Sequence, residues 1–286
     1  MHPDKAKIAG VVVLYNPEPG VINNIKSYID QIGVLYIVDN SERTNIGFVN
    51  HFTENQKVEY IFNKDNLGIA AALNIGIEKA TDSGYLFLLT MDQDSYFEQG
   101  ALENLINCID NQENIGIFSP FHKNRFFTNQ PNTRGLEEVS DVMTSGNILN
   151  LSVVKKNGKF KDEYFIDYVD IEYCLRLRKN GFKIVRVNES ILVHNEADLS
   201  RKKIFGFTVY PQNHSATRWY YKIRNYLYLK KEYYSSFIEY FHTEKRNVRN
   251  GIIKVFLFEK EKIKKANMII KGYIHFHRHI TGKSPF

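Results

Sequence analysis

The stretch from Gly84 to Asp94, Gly-Tyr-Leu-Phe-Leu-Leu-Thr-Met-Asp-Gln-Asp, limits the fold more than any other part of the chain. Tyr85 to Met91 is short, unbroken and rich in aromatic and branched side chains, the pattern of a strand buried on both faces. Such a strand belongs in the middle of a parallel sheet. If the chain stays extended, Asp92 and Asp94 project from the same side of its end, because strand side chains alternate with a period of two. Two acids at the carboxyl end of a central strand suit a divalent cation, and the cation suits a diphosphate. An Asp-x-Asp triplet arises about once by chance in a chain of this length, so its place after a buried strand carries the weight.

The first hundred residues supply a sheet for that strand. Ile8 to Leu14 is an apolar run ended by Tyr15-Asn16-Pro17, a strand and then a loop. Val21, Ile22, Ile25, Ile29 and Ile32 fall at helical spacing and Gly33 stops them, which predicts a helix over 21–32. Val34 to Val38, closed by Asp39-Asn40-Ser41, and Val58 to Phe62 read as two further strands. Asn63 to Gly68 then leads into an Ala-rich helix, Ile69 to Ala80. This alternation predicts a doubly wound α/β sheet, whose ligands bind outside the carboxyl ends of the strands. Tyr15-Asn16, Asp39-Asn40 and Asp92-Gln93-Asp94 all fall at those ends.

The signals farther along are more scattered. Ala101 to Cys108 reads as a helix, Ile115 to Ser119 as a strand and Arg125 to Arg134 as a polar loop. Val139 to Leu151 reads as a strand interrupted at Gly146, where another backbone or a ligand comes close. A helix from Val169 to Gly181 places Asp170 in its first turn, where free amides and the helix dipole favour a carboxylate. Lys183 to Val187 and Ser190 to Val193 read as short strands, the second delivering His194. A histidine in such a place is, by itself, more often structural than a ligand. From Trp219 the pattern is helical in three segments, reaching about Phe276.

Charge divides the chain unevenly. Residues 201–286 hold 19 Lys+Arg against 5 Asp+Glu, whereas residues 1–200 hold 19 against 27. A basic end rich in Tyr and Phe suits an anionic membrane surface or a phosphate-bearing partner, and a solvated basic helix fits the same composition. Its helices are amphipathic, and no run of about eighteen apolar residues exists to cross a bilayer. Cys108 and Cys174 form neither a disulfide framework nor a paired metal site, so a reducing compartment is expected. The expectation is a cytoplasmic protein, peripheral on the inner face of the cell membrane, with no nucleic-acid partner and with homodimerisation left open.

Several short motifs then occur in order: Val11-Val-Val-Leu-Tyr-Asn16, Val38-Asp39-Asn40-Ser41, Asn66-Leu-Gly68-Ile-Ala70-Ala-Ala72-Leu-Asn74-Ile-Gly76, Asp92-Gln-Asp94, Ser145-Gly146-Asn147 and Asp170-Ile-Glu172. Over residues 8–230 they resemble the inverting family 2 glycosyltransferases of GT-A fold. Phe165 to Arg176, with Arg218-Trp-Tyr-Tyr-Lys-Ile-Arg224-Asn225, is similar to the bacterial rhamnosyltransferase branch. The resemblance implies a Rossmann-like mixed central sheet flanked by helices with a C-terminal helical extension. It implies a catalytic domain over 1–230, its nucleotide-binding half about 1–115 and its acceptor half about 116–230, followed by the extension at 231–286. Tyr15, Asn16, Asp39, Asn66, Gly68 and Asp92 would border a nucleotide-sugar donor, with Asp39 reading the base. Asp94 and His194 would hold Mg²⁺ or Mn²⁺, Asp170 would be the base, with Asp167 three residues before it, and Gly146, Asn147, Glu172 and Arg176 would border a saccharide or lipid-linked saccharide acceptor.

The implied reaction moves L-rhamnose from dTDP-L-rhamnose in a single inverting displacement. A UDP- or GDP-sugar donor and a catalytically inactive saccharide-binding protein are the alternatives. A sugar nucleotidyltransferase fits poorly, because Tyr15-Asn-Pro-Glu-Pro-Gly20 lacks the basic phosphate loop such an enzyme places after its first strand.

Overall fold

The computed structural model describes residues 7–52, 57–109, 114–123, 134–194, 202–204, 207–211 and 213–286. The strands are β1 (Ile8–Leu14), β2 (Val34–Asp39), β3 (Val58–Phe62), β4 (Phe87–Asp92), β5 (Ser95–Phe97), β6 (Ile115–Lys123), β7 (Leu136–Glu138), β8 (Asn147–Asn150), β9 (Lys183–His194), β10 (Lys202–Ile204) and β11 (Phe207–Val209). The helices are α1 (Val21–Lys26), α2 (Ile46–Val49), α3 (Ile69–Asp82), α4 (Ala101–Asn107), α5 (Leu151–Asn157), α6 (Val169–Lys179), α7 (Ala216–Tyr233), α8 (Ile238–Phe258) and α9 (Lys262–His277). By contacts the chain forms two compact units, residues 1–162 with 170–195, and residues 163–169 with 196–286. Residue 230, where the resemblance set a domain boundary, lies within α7.

The first unit is a mixed sheet in the order β3-β2-β1-β4-β8-β6-β9-β5, with β7 on β9. β3, β2, β1 and β4 run parallel, and β8 is antiparallel to both β4 and β6. All seven residues of β1 are buried, as expected of a strand covered on both faces. Each large apolar side chain so buried contributes about 1.5–3 kcal/mol. Strand order reverses between β1 and β4, and a crevice at such a point is where open α/β sheets hold their ligands.

Several elements differ from the sequence reading. The helix expected over 21–32 stops at Lys26, and a single 3₁₀ turn covers Ile29–Gln31. Ser27 accounts for the break, since its Oγ donates to the Asn24 carbonyl at 2.7 Å and accepts the Phe97 amide at 3.1 Å, competing with the helix ladder. Lys183–His194 is one strand of 12 residues, because the register against β6 jumps from Pro120↔Val187 to Phe121↔Ile191 and absorbs the residues between as an irregularity. Of the strand expected over 139–151 only Asn147–Asn150 is extended, and Leu151 already begins a helix capped by the Asn150 side chain. The polar loop read at 125–134 lies, but for Arg134, outside the described residues. The central strand runs from Phe87 to Asp92, and the chain then turns at Gln93-Asp94. A turn therefore brings the two acids together, in place of the strand pleat that the period of two suggested.

The second unit is helical around α7, whose Ser215 Oγ accepts the Arg218 amide at 3.2 Å as an N-cap. α9 crosses α7 closely at Gly272, where a β-carbon would stand 2.6 Å from the Tyr220 carbonyl oxygen. Glu259 and Lys265 form a buried ion pair at 2.7 Å, and Glu259 also accepts the Asn213 amide at 3.1 Å. Among the described residues no helix is long and apolar enough to cross a membrane.

Candidate active site

The reversal point between β1 and β4 is closed by a reciprocal pair. The Tyr15 amide donates to Gln93 Oε1 at 2.9 Å, and Gln93 Nε2 donates to the Tyr15 carbonyl at 3.2 Å. Asn16 holds a positive φ of 46° and donates its amide to Ser41 Oγ at 2.8 Å, which joins the end of β1 to the loop after β2. The sequence placed Gln93 in the polar cluster at this strand end, but not in its pairing with Tyr15.

Asp39, at the end of β2, is wholly buried and organises that loop. Its Oδ1 accepts the Ser41 amide at 2.9 Å, and its Oδ2 accepts Tyr60 at 2.5 Å and Asn45 Nδ2 at 2.9 Å. Burial alone would raise the carboxyl pKa, but the hydrogen bonds from Ser41, Tyr60 and Asn45 outweigh it and hold the pKa below the ordinary value. Nearby, Asn66 Oδ1 accepts the Gly68 amide at 2.9 Å and Asn40 Nδ2 donates to the Gly68 carbonyl at 3.0 Å, fixing the entry to α3.

Asp92, Asp94 and His194 each offer one ligand atom, and these atoms lie within 4.8 Å of one another. Sheet register explains how a residue a hundred positions away arrives there: β5 pairs antiparallel with β9, setting Ser95 opposite His194. His194 Nδ1 stands 2.8 Å from Ser95 Oγ and 3.4 Å from Asp94 Oδ1. Two carboxylates and one imidazole are a donor set that fits Mg²⁺ or Mn²⁺.

Residues 144–147 are stitched across the end of β4. Thr90 Oγ1 donates to the Thr144 carbonyl at 2.6 Å, the Gly146 amide donates to the Thr90 carbonyl at 2.7 Å, and the Asp92 amide donates to Ser145 Oγ at 3.0 Å. Gly146 has φ +81°, and a β-carbon there would stand 2.8 Å from both Pro120 Cγ and Leu192 Cδ2, so both backbone and space require glycine. His122 Nε2 lies 2.6 Å from the Ser145 carbonyl; since a carbonyl only accepts, that nitrogen carries the proton. Burial pushes the His122 pKa down to about 4, which keeps the ring neutral at pH 7. No sequence signal marked His122, and Ser145 was marked only as part of the Ser145-Gly146-Asn147 motif, without the hydrogen bonds seen here.

Asp170 lies in the first turn of α6, its Oδ1 accepting the Ile171 amide at 2.9 Å. It lines a cavity with Thr144, Asn147, Phe160, Tyr173 and Cys174. Asn147 donates to the Met143 carbonyl at 2.7 Å, while its Oδ1 is buried without a hydrogen-bond partner in the protein. Glu172 and Arg176, which the resemblance placed beside the acceptor, pair with each other. Glu172 is fully buried and takes a two-pronged pair from Arg176 at 2.9 Å on each oxygen, and Arg176 also donates to the Asn157 and Lys159 carbonyls at 2.5 and 2.7 Å. That arrangement braces α6 against the segment after α5.

A parallel half-sheet with its reversal point at β1/β4, acids at the end of β4 and a mixed continuation through β8, β6 and β9 defines the GT-A class of glycosyltransferases. The chain belongs to glycosyl transferase family 2, whose family model matches residues 11–165. It is 30% identical over 248 residues to the dTDP-rhamnosyl transferase RfbF of Shigella flexneri, covering 80% of this chain and 81% of that protein. In fold it is similar to the mannosyltransferase PcManGT of Pyrobaculum calidifontis in complex with GDP-Man and Mn²⁺, with a TM-score of 0.61, 10% identity and coverage of 96% and 89% of the two chains. It is also similar to GalNAc-T7 with UDP, GalNAc and Mn²⁺, with a TM-score of 0.63, 13% identity and coverage of 96% of this chain and 56% of that one. The protein is a glycosyltransferase.

Proposed function

We propose that the protein transfers L-rhamnose from dTDP-L-rhamnose, with inversion, to a saccharide or lipid-linked saccharide during cell-surface polysaccharide synthesis. The observation that carries the chemistry is the convergence of Asp92, Asp94 and His194 at the sheet's reversal point. The likeness to the dTDP-rhamnosyl transferase of S. flexneri carries the choice of sugar. Tyr15, Asn16, Asp39, Asn66 and Gly68 shape the donor side, Asp39 from beneath through the loop it organises. Asp92 faces the donor, and Asp94 with His194 holds the metal. When bound there, a divalent ion would supply stabilisation of the charge that develops on the departing diphosphate.

The acceptor hydroxyl is a weak nucleophile near neutral pH. Asp170, in the first turn of α6, takes its proton as the new bond forms. One base and one displacement suffice, so the anomeric configuration inverts. Asp170→Asn is expected to lower transfer by about 10³-fold, within the usual range for a lost general base, while nucleotide binding persists. Near-normal turnover by that variant removes Asp170 from the role.

The basic helices α8 and α9 meet an anionic membrane surface in this reading. Phe256, Leu257, Ile263, Ile270 and Tyr273 are exposed there, in a segment whose Lys and Arg far outnumber its acids. Co-sedimentation with vesicles containing phosphatidylglycerol is expected for the wild type and is expected to weaken for Leu257→Ser with Ile263→Ser. Equal pelleting of both proteins, or of neither, contradicts it.

A further inference from the structure

We infer that Arg224 and Asn225 are positioning residues for Asp170: from α7 they lock residues 163–168 into the backbone shape from which α6, and with it the base, begins. The inference rests on the assignment of Asp170 as the base. Residues 163–168 run directly into Val169, the first residue of α6, and Asp170 is next. Phe165, Asp167 and Tyr168 in this segment hold φ values of 62°, 62° and 66°. Non-glycine residues adopt that region seldom, and three within four positions persist only where the surroundings dictate them.

The surroundings do so in detail. Asn225 Nδ2 donates to the carbonyls of Tyr164, Ile166 and Asp167 at 2.7, 2.8 and 3.0 Å. Arg224, with no exposed surface, reaches the Glu163 carbonyl at 3.1 Å and the Gly282 carbonyl at 2.8 Å with its two terminal nitrogens, and its Nε donates to Asn225 Oδ1 at 3.0 Å. Side chains of the segment are held as well. Asp167 pairs with Arg218 at 2.8 Å, the Phe165 ring stacks on Tyr221 at 5.0 Å, and the Tyr168 hydroxyl donates to Glu244 at 2.5 Å. The two side chains that take the backbone carbonyls, adjacent on α7 and buried, are the pair that sets the backbone. A turn needed only for connection is met by glycine at the left-handed positions. Keeping Phe, Asp and Tyr there calls for a clamp, and what the clamp gains is a fixed start for the helix that carries Asp170.

A base displaced by about 1 Å loses rate on the order of 10²-fold without any loss of donor contacts. The test compares Asn225→Ala with the milder Tyr168→Phe, each in the wild-type and the Asp170→Asn background, by transfer rate, donor KM and calorimetric titration of dTDP with Mn²⁺. Asn225→Ala is expected to lower kcat by about 10²-fold, with donor KM and dTDP affinity unchanged within about twofold. In the Asp170→Asn background the same change is expected to cost under about threefold, because residues acting through one group are not additive. Equal losses in both backgrounds, or an unchanged kcat, overturn the inference. If Asn225→Ala does not fold, Tyr168→Phe decides, with about a fivefold loss expected in the wild type and none with Asp170→Asn, and with equal effects in both overturning it. Retained transfer by Asp170→Asn itself defeats the base assignment instead, an outcome visible before the double variants are made.

Discussion

Two groups of polar side chains converge in this molecule, and they are assembled in opposite ways. Around Asp92 and Asp94 the partners arrive by sheet register: β5 delivers Ser95 opposite His194, and the end of β4 is sewn to residues 144–147. Around residues 163–168 nothing is in register, and helix side chains from α7 reach out to main-chain carbonyls of another segment. A registered site keeps its scaffold when a ligand side chain is removed, because the ladder hydrogen bonds remain. A clamped segment has no ladder to fall back on. The difference predicts that substitutions in the first group change chemistry before stability, and those in the helical unit the reverse.

The largest effect expected on this basis is structural. Lys265→Met leaves Glu259 buried and unpaired, and is expected to cost about 3–5 kcal/mol in urea unfolding. A cost below about 1 kcal/mol shows the helical unit to be less interdependent than supposed. Asp94→Ala comes next: transfer is expected to fall by about 10²- to 10³-fold with the melting temperature unchanged, as for loss of one group stabilising a developing charge. A matching drop in melting temperature erases the contrast. Gly146→Ala is expected to cost about 1–3 kcal/mol, because φ is +81° and the new methyl meets Pro120 and Leu192. It is the one place in the registered group where stability should respond strongly.

The smallest effect is on pH dependence, and it is shared between the units. Burial lowers the pKa of His122 to about 4 and that of His214 to about 3, the latter with help from Arg218 and Lys222. Unfolded histidines titrate near 6.5, so between that pH and about 4 the unfolded chain binds protons that the folded chain refuses. Stability should hold above pH 6.5 and fall as the pH drops below it. Melting curves at pH 7.5 and 5.5 check this, and His214→Gln should flatten the slope in part.

How much of this was legible beforehand follows the same division. The parallel half-sheet was readable because β1, β2 and β4 are apolar runs with polar residues at their ends, a pattern that needs only local sequence. Asp92 and Asp94 stood out for that reason. β5 was not readable, being three residues long, and neither was the continuous β9, whose irregularity at Asn188–Ser190 looks like a turn. The roles of Gln93, Ser145 and His122 come from partners 23 to 78 positions away, which no local pattern records. Glu172 and Arg176 were placed near the acceptor by the resemblance alone, and their buried i,i+4 pairing, with Arg176 also bonded to the Asn157 and Lys159 carbonyls, depends on partners that the motif does not record. Arg224 and Asn225 were visible as part of a motif, but their partners about 60 positions away were not.

The central claim is that a metal-dependent site at the β1/β4 reversal point turns over dTDP-L-rhamnose. The most direct measurement is donor consumption by the wild-type protein across dTDP-, UDP- and GDP-sugars, with Mn²⁺ and with EDTA. Turnover of dTDP-L-rhamnose well above the other donors, abolished by EDTA and restored by Mn²⁺, is the predicted result; turnover that ignores EDTA, or that favours a UDP- or GDP-sugar, contradicts it.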